Sequence, residues 1–65
     1  VLIYVNEQET TVPENFLLVD LLRELGFSNR VAIWINNVQI LQRDYITRQL
    51  QENDRVRIVK PLAGG

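Results

Sequence analysis

The chain has 65 residues, 46% hydrophobic and 23% charged, with seven basic and eight acidic side chains and a net charge of −1. That length allows one small domain, and the near-neutral balance gives no electrostatic reason to expect nucleic acid or an anionic membrane as a partner. Cys and His are both absent, which excludes a disulfide framework, a Cys/His zinc site and any nucleophile activated by imidazole, and leaves no residue cluster suited to a metal.

The chain opens on Val1-Leu2-Ile3-Tyr4-Val5, a β-branched and aromatic run that predicts a strand. It is shorter than the roughly seven residues of a signal-peptide core and has no basic flank, so a cytoplasmic location is expected. Asn6-Glu7-Gln8-Glu9 suits a tight connection, and Thr10-Thr11-Val12 predicts the return strand, stopped by Pro13, which has no N–H for a ladder. Next, Leu18, Leu21, Leu22 and Leu25 recur at helical spacing. They predict a helix from near Phe16 to Leu25, with Asn15 as N-cap, Gly26 as a left-handed stop and Phe27 folding back onto the last turn.

Val31-Ala32-Ile33-Trp34-Ile35 returns to strand character, Asn36-Asn37 marks a turn and Val38-Gln39-Ile40 predicts an edge piece. Leu41 to Arg48 is mixed, with a 3₁₀ turn expected around Asp44, Tyr45 and Ile46, and Gln49-Leu50 as a further minimal strand. Glu52-Asn53-Asp54 predicts a turn and Arg55-Val56-Arg57-Ile58-Val59 a half-buried strand. A sheet curling over the single helix is the natural packing, with the first and last strands paired at its centre.

Strand alternation then sorts the side chains. Val1, Ile3, Val5, Ile33, Ile35, Val56 and Ile58 face the leucine stripe, while Leu2, Tyr4, Ala32, Trp34, Arg57 and Val59 face away. Two aromatics and several aliphatics on an outer face exceed scattered exposure and predict a partner-binding surface. The competing expectation is that side chains of residues 41–48 cover it.

The last residues, Pro61-Leu62-Ala63-Gly64-Gly65, can form no packed element. The expected organisation is therefore a domain over residues 1–60 and a flexible tail over 61–65. A terminal Gly-Gly presents an α-carboxylate with no side chain near it, able to thread a narrow enzyme tunnel. That carboxylate is ionised at neutral pH, with an ordinary pKa of about 3.3–3.7, and needs activation before a nucleophile can attack its carbonyl carbon.

With this element order and this ending, the chain resembles the β-grasp, ubiquitin-like proteins, and among them the ThiS sulfur carriers of thiamine biosynthesis. The resemblance runs from the strand closing on Asn6, through Leu21-Leu22, Ile35-Asn36, Tyr45 and Asn53-Asp54, to the terminal Gly-Gly. After Asn36 that family commonly reads Val-Pro-Arg; here Ile40-Leu41-Gln42 precedes Arg43, so the Pro is absent and the Arg displaced.

The resemblance implies a carrier that is not itself an enzyme and binds no cofactor. Its Gly65 would be adenylated by a ubiquitin-activating-like enzyme using ATP, then converted by a persulfide donor to a thiocarboxylate that serves thiazole synthase. Gly65 would bear the sulfur, and Pro61, Leu62, Ala63 and Gly64 would occupy the partner tunnel. Trp34, Tyr4, Leu2, Val59 and Arg57 would form the docking face. Two alternatives share the tail: the small subunit of molybdopterin synthase, usually longer between helix and third strand than Phe27 to Arg30, and a ubiquitin-like protein modifier, whose chains would find only Lys60 as an acceptor.

Overall fold

The computed structural model describes residues 1–61. Strands β1 (Leu2–Val5) and β2 (Gln8–Thr11) form an antiparallel hairpin in register from Val5 opposite Gln8 to Leu2 opposite Thr11. Only Asn6 and Glu7 separate them, at φ 48° and 71°. Two successive positive φ values give the mirror-image turn whose twist matches the flanking strands. Gln8 and Glu9 are therefore strand rather than connection, and polar residues are tolerated there because β2 lies at a sheet edge. The Val12 N–H still pairs with the Val1 carbonyl at 2.9 Å before Pro13 ends the ladder.

Strands β3 (Ala32–Ile35) and β4 (Val38–Ile40) repeat the device, with Asn36 and Asn37 at φ 53° and 69°. Strand β5 (Arg55–Val59) lies between the hairpins, parallel to β1 and antiparallel to β3, giving the order β2-β1-β5-β3-β4. The first and last strands thus meet at the sheet centre as expected, and the five-stranded mixed sheet curls over one helix in a β-grasp.

Helix α1 spans Leu18–Leu25, two residues shorter at its start than the leucine spacing predicts. Asn15 is not the N-cap; it occupies a left-handed turn at φ 63°, and the capping position falls on Leu17, which has no side-chain cap. Backbone acceptors replace that cap. The Leu18 N–H donates to the Arg48 carbonyl at 2.8 Å and the Val19 N–H to the Tyr45 carbonyl at 3.0 Å, satisfying two of the donors every helix start leaves open. At the other end Gly26 takes φ 80°, and the Phe27 N–H returns to the Leu22 carbonyl at 2.8 Å, the predicted stop.

The core holds Ile3, Val5, Ile33, Ile35, Val56 and Ile58 from the sheet against Leu18, Leu21 and Leu22 from the helix. Val1 is only partly buried at its margin, and Leu25, expected on the same stripe, is 46% exposed while Phe27 packs against the core. Tyr45 and Leu50 complete the interior, each almost fully buried. Tyr45 follows a 3₁₀ turn at Gln42–Asp44 and its hydroxyl donates to the Val31 carbonyl at 2.8 Å; burial raises its phenol pKa above the ordinary value of 10.0. Gln49 makes a single bridge to Leu17, and the Leu50 N–H donates to the Phe16 carbonyl at 2.8 Å. Segment 41–50 therefore anchors at the helix start, where N–H groups need acceptors, and Tyr45 fills the helix side of the sheet; the expectation that this segment covers the outer face gives way to that demand.

Candidate functional site

The tail leaves from β5, so what holds β5 determines how firmly the tail is presented. Asn6 and Asn36, each the first residue of its hairpin turn, grip β5 from opposite flanks. The Asn6 N–H donates to the Val56 carbonyl at 2.8 Å, its Oδ1 accepts the Ile58 N–H at 2.8 Å, and its Nδ2 reaches the Ile58 carbonyl at 3.4 Å. The Asn36 N–H donates to the Arg55 carbonyl at 2.9 Å, its Oδ1 accepts the Arg55 N–H at 3.0 Å, and its Nδ2 donates to Asp54 Oδ1 at 3.0 Å. Each side chain thereby continues a β-ladder where its own strand has turned away.

Asp54 is the buried charged residue of this network, 5% exposed. Its Oδ2 accepts the Gln51 N–H at 2.8 Å and lies 3.7 Å from Arg48 Nη2, while its carbonyl accepts the Tyr4 N–H at 2.9 Å. A buried carboxylate is tolerable when its lone pairs are met in this way. Asp54 therefore fixes the entry of β5 as the asparagines fix its flanks.

The outer face of the sheet carries the side chains that alternation assigned to it. Leu2, Tyr4, Ala32 and Trp34 are half-buried, and Arg57 and Val59 are exposed. Register places Arg57 opposite Trp34 and Val59 opposite Ala32. Arg55 lies opposite Tyr4, with its guanidinium 5.4 Å from the ring centroid, a distance at which the cation is attracted to the ring face. Lys60 sits at the rim with its ammonium 5.3 Å from the Phe27 ring. The surface is thus one of arginines interleaved with aromatics, lining an open depression that also includes Asn37 and Glu7.

Pro61 is exposed at the end of this face; Leu62, Ala63, Gly64 and Gly65 lie outside the described residues. Covalent geometry limits their reach: at roughly 3.5 Å per residue, those four residues place Gly65 within about 14 Å of Pro61. Gly65 lies six residues beyond Val59, so any partner acting on it must come within about 21 Å of the end of β5.

Sequence reasoning missed Arg55, the two asparagine grips and Asp54. Arg55 was legible, since it shares the parity of Arg57 and Val59. The asparagines were legible only as turn residues, because nothing in their spacing says that their amides reach across to a strand about 20 to 50 positions later.

The model of the ThiS family matches the chain over residues 1–65. The crystal structure of the thiamine biosynthesis protein (ThiS) from Geobacter metallireducens superimposes with a TM-score of 0.85 at 20% identity, covering 100% of both chains. A search of curated proteins gives no match. Among the described residues, no helix is long and apolar enough to cross a membrane.

Proposed function

Since the chain belongs to the ThiS family, the sulfur carriers of thiamine biosynthesis, we propose that it is a protein co-substrate, not an enzyme, whose reactive group is the Gly65 carboxylate. A carboxylate oxygen of Gly65 attacks the α-phosphorus of ATP on a ubiquitin-activating-like enzyme, pyrophosphate leaves, and an acyl-adenylate forms. The terminal sulfur of a persulfide donor then attacks the carbonyl carbon and AMP departs. A second thiol cleaves the resulting acyl disulfide, which leaves a thiocarboxylate on Gly65 and a disulfide on the thiols. Thiocarboxylate sulfur is a softer, stronger nucleophile than carboxylate oxygen, so thiazole synthase receives sulfur in the cytoplasm without release of free sulfide. The chain binds no cofactor of its own; the enzyme consumes the ATP.

The observation that carries this reading is the whole-length family match on a chain ending in Ala63-Gly64-Gly65. It is supported by how that ending is mounted. The five residues 61–65 follow β5, an interior strand paired on both sides and gripped by Asn6 and Asn36, so the domain over residues 1–60 serves as a rigid handle. Pro61, Leu62, Ala63 and Gly64 thread the partner tunnel, and Leu2, Tyr4, Trp34, Arg57 and Val59 form the docking face beside it.

Incubating the protein with its adenylating enzyme, ATP and a persulfide donor tests the reading. The intact mass should rise by one oxygen-for-sulfur exchange, and a protein lacking Gly65 should melt normally but show no shift. An unchanged mass with an active enzyme overturns the proposal.

A further inference from the structure

The chain is slightly acidic overall, yet its outer sheet face is cationic where β5 crosses it. Among the described residues the ion pairs are Arg23–Asp20 and Arg48–Asp54; Arg55 and Arg57 belong to neither. Acidic groups around this face include Glu9, opposite Tyr4 on the edge strand, Glu7 in the first turn, and Glu52, whose Oε1 accepts the Leu2 N–H at 3.1 Å. The Arg55 guanidinium instead lies over the Tyr4 ring, and Arg57 stands opposite Trp34 in the strand register. An arginine in that setting keeps its charge and its N–H fork free for a partner.

The short tail gives this charge a consequence. An enzyme that adenylates Gly65 must bind a nucleotide triphosphate and a carboxylate together, so its catalytic pocket is electropositive. With Gly65 held within about 14 Å of Pro61, the enzyme surface around the entrance for the tail comes against the end of β5 and the arginines on it. Arginines desolvated in that contact need anionic partners, because a buried charge is costly unless it is paired. We infer that the Arg55/Arg57 face, with Tyr4 and Trp34, docks on an acidic surface of the adenylating enzyme beside the entrance through which the tail reaches its nucleotide pocket. The inference rests on the carrier reading above and adds the chemistry of the partner's surface.

The test is carrier-dependent ATP–pyrophosphate exchange by the adenylating enzyme, measured as kcat/KM for the carrier over a range of NaCl. Electrostatic steering raises association rates by about 10- to 1,000-fold and falls with ionic strength. The wild type should therefore lose at least about tenfold in kcat/KM between about 50 and 500 mM NaCl. The double variant Arg55→Glu/Arg57→Glu should be lower by about 30-fold or more at low salt and nearly insensitive to salt. Arg55→Gln/Arg57→Gln should fall between, which keeps the test valid if the reversed pair folds poorly by circular dichroism. Arg23→Glu, the same charge change on the helix side, should stay within about twofold.

Normal exchange by the wild type with both arginine double variants within about twofold of it, or with no salt dependence, overturns this inference alone. Absence of exchange by the wild type at every salt concentration overturns the carrier reading and this inference with it. Saturable binding of a fluorescein-labelled single-stranded oligonucleotide that displaces the enzyme would assign the face to nucleic acid and overturn the inference as well.

Discussion

Asn6 offers the sharpest test of how β5 is held. Its Oδ1 accepts the Ile58 N–H at 2.8 Å and its Nδ2 adds a long contact of 3.4 Å. Asn6→Gly removes both while glycine occupies φ 48° without strain. Ile58 is 7% exposed, so its N–H loses a partner in a nearly dry position, worth about 1–3 kcal/mol; the exposed turn lets some water in and places the loss near 1–2 kcal/mol. In so small a domain that corresponds to a fall of about 5–15 °C in Tm, and to roughly a third of a net stability of about 3–5 kcal/mol. Asn6→Ala adds the left-handed penalty of about 1 kcal/mol. Asn6→Asp keeps the 2.8 Å acceptor but turns a second oxygen, in place of Nδ2, toward the Ile58 carbonyl, so it should lose about 0.5–1 kcal/mol and stay more stable than Asn6→Ala. Urea denaturation followed by Trp34 fluorescence measures all three. If Asn6→Gly is within about 0.3 kcal/mol of wild type, or Asn6→Asp is as unstable as Asn6→Ala, the grip on β5 is not made by this side chain.

The remaining predictions address the helix end, the core and the buried phenol. Gly26→Ala meets no atom within 4 Å but is forced to φ 80°, so it should cost about 1–2 kcal/mol from the backbone alone, with Gly26→Asn costing less. Leu50→Ala empties a site only 2% exposed and should cost about 2–5 kcal/mol, enough to leave much of the chain unfolded in a thermal melt. Tyr45→Phe leaves the Val31 carbonyl without its buried donor and should cost about 1 kcal/mol at neutral pH. The Tyr45 phenol pKa is raised in the folded state by burial, so the fold favours the protonated form. Its contribution is complete below the unfolded value near 10 and is lost as pH rises through the folded value. The stability gap between wild type and Tyr45→Phe, read from urea curves at several pH values, should be constant up to about pH 10 and shrink above it.

Period-two alternation made the sheet legible. Ile3, Ile33, Ile35, Val56 and Ile58 fall on the buried side and Tyr4, Trp34, Arg57 and Val59 on the other because a strand offers its side chains only two directions. The pairing of the first and last strands followed from their shared β-branched character. What escaped local reading depends on distant partners. Asn15 has the right chemistry for an N-cap, but the Tyr45 and Arg48 carbonyls, about 30 residues onward, supply the helix start instead. Leu25 keeps the helical period yet sits at the last turn, where Phe27 rather than Leu25 packs against the core. Gln8 and Glu9 read as a connection because nothing local reveals that two left-handed residues suffice for the turn. At the site, the outer face and Arg57 on it were legible, whereas the place of the second arginine, Arg55, beside Tyr4 depends on the parallel register of β1 and β5.

The account turns on Gly65 as the atom-bearing end, and one measurement reaches it directly: the intact mass of the protein isolated from cells growing without thiamine. Carriage of sulfur predicts a population heavier by one oxygen-for-sulfur exchange, located to Gly65 by fragmentation and absent from protein lacking that residue. A protein of unmodified mass throughout growth without thiamine, or sulfur found on any other residue, would contradict it.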